Sequence, residues 1–272
     1  MMDTSTEPEI VMPGDRVLVI LDKRRRYIVE ARRGVVLHTD RGVLSMDDVL
    51  DRPYGSRVEM RGGQYAYILR PLPEDLMLLG FKRRSQVIYP KDLGYIILLS
   101  GVKPGSRVVE AGVGSGFLTF MLAYLVGDNG IVYGFDVRED MIKTARSNLM
   151  MAGLLSRVQL AVHDVRKGFP VQNTVDAVFL DLPDPWNTVG HVYSVLKASG
   201  RVIVFQPTVN QVEKTASALK RHGGFTDIRA VEILLREYIV EEGRVRPHTR
   251  MIGHTGFIVH ARKVLIEGGE KK

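Results

Sequence analysis

The stretch Arg107-Val108-Val109-Glu110-Ala111-Gly112-Val113-Gly114-Ser115-Gly116-Phe117-Leu118-Thr119 runs from a β-rich segment through alternating glycines into an apolar, helix-forming one. Glycines at 112 and 114 allow a tight turn and let a ligand approach the backbone. The amides of Ser115 and Gly116, at a helix N-terminus, then favour an anionic or carboxylate-bearing group. A dinucleotide fingerprint would need a small residue where Phe117 stands, which disfavours a NAD-dependent dehydrogenase. The next apolar run, 131–136, ends in Asp136, a carboxylate suited to both hydroxyls of a ribose. After a third run, His163-Asp164-Val165 offers a carboxylate to an adenine amino group. A fourth closes on Asp181-Leu182-Pro183-Asp184-Pro185-Trp186, whose two prolines stiffen the chain around Asp181.

These residues need a scaffold that ends strands side by side. Apolar runs at 107–111, 131–136, 158–163, 175–181 and 201–206 are expected to be strands. Between them, 117–125, 139–151, 187–198 and 210–222 have helical spacing, as in Val212, Ala216 and Leu219. Such alternation predicts an α/β fold, a doubly wound, Rossmann-like parallel sheet with helices on both faces. Segments 228–240 and 255–262 read as two antiparallel edge strands closing it. Upstream, short β-rich runs at 16–21, 27–31, 35–38, 57–60 and 65–69, separated by Gly-containing turns, predict a small β-barrel or sandwich. The proline pair at 71 and 73 ends that unit, so the expected division is a β-domain over 1–75 and a catalytic domain over 76–272.

The 272 residues are 45% hydrophobic and 25% charged, as in an ordinary globular protein, and no apolar run approaches membrane-helix length. The polar, acidic start from Met1 to Glu9 does not resemble a signal or transit peptide, so a soluble, cytoplasmic protein is expected. Zero cysteines exclude disulfides, thiolate metal sites and thiol catalysis. The net charge of +7 is uneven: 76–109 and 201–272 carry +5 each, while 1–75 carry −1 and 110–200 carry −2. Basic segments flanking an acidic centre suggest a polyanionic substrate gripped outside the reaction site. Lys82-Arg83-Arg84, Arg244 to Arg250 and Lys23-Arg24-Arg25-Arg26 are the candidate phosphate contacts.

The G-x-G-x-G form with Glu110 two residues ahead resembles the first motif of S-adenosylmethionine-dependent methyltransferases. Asp181-Leu182-Pro183-x-Pro185-Trp186 resembles, more narrowly, the active-site signature of the tRNA (adenine-N1)-methyltransferases that act on T-loop adenine 58. Three further stretches look like the same family: Gln86-Val87-Ile88-Tyr89-Pro90-Lys91-Asp92, Gln206-Pro207-Thr208-Val209-Asn210-Gln211-Val212, and Arg246-Pro247-x-x-Arg250-Met251-x-Gly253-His254-Thr255-Gly256-Phe257. With the β-domain, the resemblance covers roughly residues 10 to 264 and is nearest the archaeal members, leaving open adenine 57 as a second target.

The resemblance implies S-adenosyl-L-methionine held by Glu110, Gly112, Gly114, Ser115, Gly116, Phe117, Leu118, Asp136, Val137, Asp164, Val165 and Asp181. It implies Asp181 as the catalytic residue, Gln86, Tyr89, Arg250 and His254 as substrate contacts, no metal, and a homotetramer acting on tRNA. Several side chains keep two readings. Tyr89 stacks on a flipped base or fills the core, Trp186 is a base platform or core, and His254 positions substrate or satisfies a structural bond. Asp184 perturbs Asp181 or faces solvent. Rival functions are another methyltransferase on the same core, of protein isoaspartyl or corrin-precursor type, and a non-catalytic tRNA-binding subunit. The intact glycine turn and Asp181 argue against the latter.

Overall fold

A computed structural model describes residues 8–172 and 174–266; the segment 1–7, most of the polar start discussed above, lies outside them. The chain divides into two compact units, Met1–Phe81 and Lys82–Lys272.

In the first unit, strands β1 (Arg16–Ile20), β2 (Arg26–Glu30), β5 (Arg57–Glu59) and β6 (Tyr65–Leu69) form an antiparallel sheet in the order β2-β1-β6-β5. A hairpin of β3 (Val36–Thr39) and β4 (Gly42–Ser45) joins it through the Val43–Arg61 bridge. Inward residues of both pieces, among them Val17, Val19, Leu44, Met46, Ala66 and Ile68, bury one apolar core. The arrangement is therefore an open sheet plus a hairpin. The β4 strand was not expected, being four residues long and starting at a glycine. The unit runs six residues past 75 because the helical turn α1 (Pro73–Asp75) continues through Leu76–Gly80, which packs against β2. Asp75 is buried, receives the Leu72 N–H at 2.9 Å and pairs with Arg26 of β2 at 2.5 Å.

The second unit is a seven-stranded sheet in the order β12-β15-β11-β10-β7-β8-β9. Its parallel strands are β7 (Arg107–Ala111), β8 (Ile131–Asp136), β9 (Val158–Val162), β10 (Val175–Leu180) and β11 (Leu196–Gln206). They alternate with α3 (Phe117–Val126), α4 (Glu139–Met151), α5 (Val189–Val195) and α6 (Val209–His222), preceded by α2 (Pro90–Ser100). Chain order reverses between β7 and β10, and clefts outside such a switch point are where ligands bind in open α/β sheets.

Two expectations are corrected. The helix expected over 187–198 stops at Val195, because Leu196 pairs with Val175 and extends β11 backwards; long-range pairing outweighs local helical spacing. The closing strands are not both at the edge. The strand β15 (Phe257–Lys263) lies between β11 and β12 (Phe225–Glu232), antiparallel to both. The single strand expected to reach Val240 ends at Glu232, and β13 (Tyr238–Ile239) pairs instead with β14 (Arg246–Pro247). Among the described residues no helix is long and apolar enough to cross a membrane.

Candidate active site

Three cavities meet at the carboxyl ends of β7, β8, β10 and β11, and Asp181 lines all of them. The contact that brings the loops after β7 and β10 together is backbone to backbone. The Asp181 N–H donates to Ala111 O at 2.9 Å, and Gly112 lies against the Asp181 carbonyl. A Cβ on Gly112, whose φ is +87°, would stand 2.0 Å from that oxygen. The glycine is therefore required twice, for its conformation and for its missing side chain.

The first cavity, of about 180 Å³, is lined by Asp136, Val137, His163, Asp164, Val165, Arg166, Asp181 and Asp184 among others. Asp136 accepts backbone N–H groups from Gly114 and Arg138, both at 2.9 Å, which fixes its carboxylate at the mouth of β8. Asp164 is gripped by Arg166, a residue the sequence reading did not single out. The Arg166 guanidinium donates to both carboxylate oxygens at 2.8–3.1 Å, and reaches Asp184 at 3.3 Å. Those bonds hold the Asp164 pKa down at about 2. Asp184 thus neither perturbs Asp181 nor simply faces solvent: it joins Arg166 and the Asn187 amide, 3.0 Å away.

The second cavity is narrow, about 20 Å³, and lined by Gln86, Ile88, Glu110, Gly114, Ser115, Phe117 and Leu118 among others. Its amides differ from expectation. The Ser115 N–H is taken by Ser85 Oγ at 3.2 Å and the Gly116 N–H by Val113 O at 2.9 Å. The N–H of Leu118, one residue into α3, makes no hydrogen bond among the described residues and is the donor left for a carboxylate. Glu110 is 2% exposed and its Oε2 has no hydrogen-bond partner; burial, with Asp181 and Asp136 nearby, pushes its pKa up to about 8. An unpaired buried carboxylate is costly, and a cation arriving beside it would restore its ionised form.

One wall of this cavity is pinned by Asn148 of α4, which is 2% exposed. Its side chain accepts the Lys82 N–H and donates to Lys82 O and Ser115 O, all at 2.9 Å. Asn148→Ala leaves those three backbone groups without partners. The expected loss is about 1–3 kcal/mol of stability in urea unfolding, because part of the released backbone can hydrate.

The third cavity, about 360 Å³, is lined by Gln86, Val87, Tyr89, Asp181, Phe205, Pro207, Ile252, His254 and Thr255. Tyr89 caps α2 and is half-buried on this wall, with Arg83 5.9 Å from its ring centroid. Behind it, buried Lys91 donates to Asp92 at 2.8 Å, Ile233 O at 2.7 Å and Thr255 Oγ1 at 2.6 Å, tying α2 to the later loops. His254 lines the cavity, but both ring nitrogens are engaged, Nδ1 with Glu232 at 2.6 Å and Nε2 with Pro207 O at 2.8 Å. Two acceptors require a doubly protonated ring, and they raise the His254 pKa. Its role is thus to tie the 254 loop to β12 and Pro207. Arg250 is exposed and lines none of the three cavities. Trp186 lines none either; Lys214 of α6 sits 5.1 Å from its ring centroid.

The Asp181 carboxylate makes no hydrogen bond among the described residues. Burial, and secondarily Asp136, pushes its pKa up to about 6. It remains mostly ionised at neutral pH, a free acceptor where the first and third cavities join.

Comparison with known proteins agrees along most of the chain. A family described as the GCD14 subunit of the tRNA methyltransferase complex matches residues 64–250, and one described as TrmI-like N-terminal matches 10–58. The TrmI tRNA (adenine(57)-N(1)/adenine(58)-N(1))-methyltransferase of Methanocaldococcus jannaschii is 35% identical, over 90% of this chain and 94% of its own. The crystal structure of the Aquifex aeolicus tRNA (m1A58) methyltransferase TrmI superposes with a TM-score of 0.81 at 31% identity, over 95% of this chain and 100% of that one. A Thermotoga maritima protein described as a SAM-dependent O-methyltransferase gives 0.86 at 36% identity, over 95% and 96%. A glycine turn, a free carboxylate at the switch point and relatives that match over nine-tenths of the chain make it a member of the GCD14/TrmI family of S-adenosyl-L-methionine-dependent tRNA (adenine-N1)-methyltransferases.

Proposed function

We propose that this protein transfers a methyl group from S-adenosyl-L-methionine to N1 of adenine 58 in the T-loop of tRNA. The observation that carries it is the position of Asp181, unbonded and shared by the cavity walled by Asp136 and Asp164 and the cavity walled by Tyr89 and Phe205. The first two cavities fit the donor. Asp136 suits the ribose hydroxyls, Val137 and Val165 flank the base, and Asp164, oriented by Arg166, suits the adenine amino group. In the narrow cavity the unpartnered Glu110 Oε2 suits the amino group of the amino-acid end, and the Leu118 N–H suits its carboxylate.

When bound, S-adenosyl-L-methionine supplies an activated sulfonium methyl that an in-plane lone pair can take. The chain's own work is alignment and proton handling. Tyr89 and Phe205 flank the space for the target base, and Gln86 lines both the narrow and the third cavity. Methylation of N1 makes the base cationic, and the Asp181 carboxylate accepts the N6–H, stabilising that charge and taking the proton. Methyl transfer from labelled donor to an unmodified tRNA transcript, with the product nucleoside identified and mapped, tests the reading. N1-methyladenosine at position 58 supports it, and the same map shows whether 57 is modified, as the name of the Methanocaldococcus relative describes for that protein. Label appearing only in peptide or small hydroxyl acceptors overturns it.

The acid limb of kcat/KM for tRNA, at saturating donor so that Glu110 is already engaged, tests the proton acceptor. With Asp181 titrating near 6, the rate is expected to be flat from about pH 7 upward and to fall about tenfold per unit below about pH 6. A profile flat to pH 5 would remove Asp181 from that role.

The extruded base needs the surrounding tRNA held by its phosphates. Arg244, Arg246 and Arg250 are exposed, in the segment that leads to the third-cavity residues Ile252, His254 and Thr255, and suit that role. In the β-domain cluster, Arg25 is already paired with Asp22 and Asp40, and Arg26 with Asp75, which weakens that cluster as a phosphate contact. A homotetramer in the cytoplasm is part of the same reading. Exposed Leu234, Leu235, Tyr238, Val240 and Val245 along one segment favour an interface between copies, which light scattering would weigh.

A further inference from the structure

The antiparallel margin of the catalytic sheet carries a cationic cluster that the proposed reaction leaves unused. Arg201 of β11 is the register partner of Arg262 of β15, and Arg229 of β12 is that of His260 of β15. Directly opposed and alternate strand residues share a face, so these four side chains project together. The β12–β15 ladder shifts register between Thr226 and Arg229, and Asp227 sits in that bulge with φ +52°. A bulge re-aims side chains. The Asp227 carboxylate meets Arg229 Nε at 2.8 Å, while Arg201 stays 3.7 Å away.

Arg201 instead bonds His260 Nδ1 at 2.9 Å. His260 is 3% exposed, and burial, reinforced by Arg201, lowers its pKa from the usual histidine value. It is a neutral acceptor that orients the guanidinium without cancelling its charge. Arg262 is exposed and makes no ion pair or hydrogen bond among the described residues. Three guanidinium groups thus stand together with one carboxylate, Asp227, which pairs with Arg229 and reaches Arg201 but not Arg262, and Arg201 is nearly buried at 11% side-chain exposure. Planar guanidinium forks in excess over carboxylates suit phosphate oxygens.

We propose that Arg201, Arg229 and Arg262 form a binding site for a backbone phosphate of the tRNA, separate from the catalytic cavities. This rests on tRNA being the substrate. Arg262 lies five residues along β15 from Phe257, two residues after the cavity residue Thr255. At ~3.4 Å per residue that is about 17 Å, so the site would hold the RNA several nucleotides from the target base.

The test is the Arg229→Glu/Arg262→Glu double variant, beside Arg229→Gln/Arg262→Gln, because both side chains are exposed and their replacement spares the core. Filter binding of an unmodified tRNA transcript is measured across a salt series, with donor affinity by calorimetry and kcat at saturating tRNA. The tRNA Kd is expected to rise on the order of 10- to 100-fold at about 0.1 M salt for the Glu pair, less for the Gln pair. The plot of log K against log salt should become shallower by about one phosphate contact. Donor Kd and kcat should not move. An unchanged tRNA Kd and slope, in an enzyme whose wild type methylates tRNA, overturns the site and leaves the function standing. A wild type that neither binds nor methylates tRNA overturns both. A weaker tRNA Kd accompanied by a changed mass in light scattering also overturns it, since the cluster would then be an interface between subunits.

Discussion

Asp181→Asn is expected to lower kcat by about 10²- to 10⁴-fold while leaving the S-adenosyl-L-methionine Kd within a few-fold of wild type. The amide keeps the shape of the carboxylate but cannot take the N6 proton or offset the charge that N1 methylation creates. Its backbone anchor, the N–H bonded to Ala111 O, is unaffected by the substitution, so the loop after β10 keeps its position. The proposed donor contacts Asp136, Asp164 and Glu110 make no hydrogen bond to Asp181. Single-turnover transfer to tRNA and calorimetry of the donor are the paired measurements, and equal losses in both would defeat the assignment. The variant should also lose the acid limb near pH 6, since the titrating group is gone.

Gly112→Ala is expected to cost about 2–5 kcal/mol of stability, or to abolish donor binding if the fold survives. A left-handed φ of +87° costs an alanine about 1–2 kcal/mol. The added Cβ also meets the Asp181 carbonyl at 2.0 Å, a backbone atom that can yield only by moving the active-site loop. Overpacking of this kind adds about 1–3 kcal/mol. Thermal unfolding with and without donor separates the two outcomes, and a variant as stable and as tight-binding as wild type would contradict the contact. A neighbouring turn glycine meets softer surroundings: a Cβ on Gly114 would meet the Ser85 hydroxyl at 2.9 Å, a side chain that can yield by giving up its bonds to Ser115 without moving backbone. The same substitution there should be milder.

The parallel core was legible in the chain because its signals are local. Strands β7 and β8 and helix α4 have the bounds that apolar periodicity gave, and the carboxylates at 136, 164 and 181 fall where strands end, as chain order demands. The cues for α2, Pro90 at its first turn and Gly101 after its last, are also local to the sequence. What no local pattern carried was pairing between distant segments. Leu196 joined β10 instead of continuing a helix, and β15 inserted between β11 and β12. The site divides the same way. Residue types identified Asp181, Glu110 and the glycine turn. Only the tertiary structure showed Asp164 committed to Arg166 and the Ser115 amide to Ser85. It likewise showed His254 fully spent on Glu232 and Pro207, while Arg250 stood apart from all three cavities. The physical reason is that a hydrogen-bonding group's availability depends on every partner within about 3 Å. The partners of Ser115 and His254 come from segments 22 to 47 residues away, and even Arg166, two residues from Asp164, could have turned elsewhere.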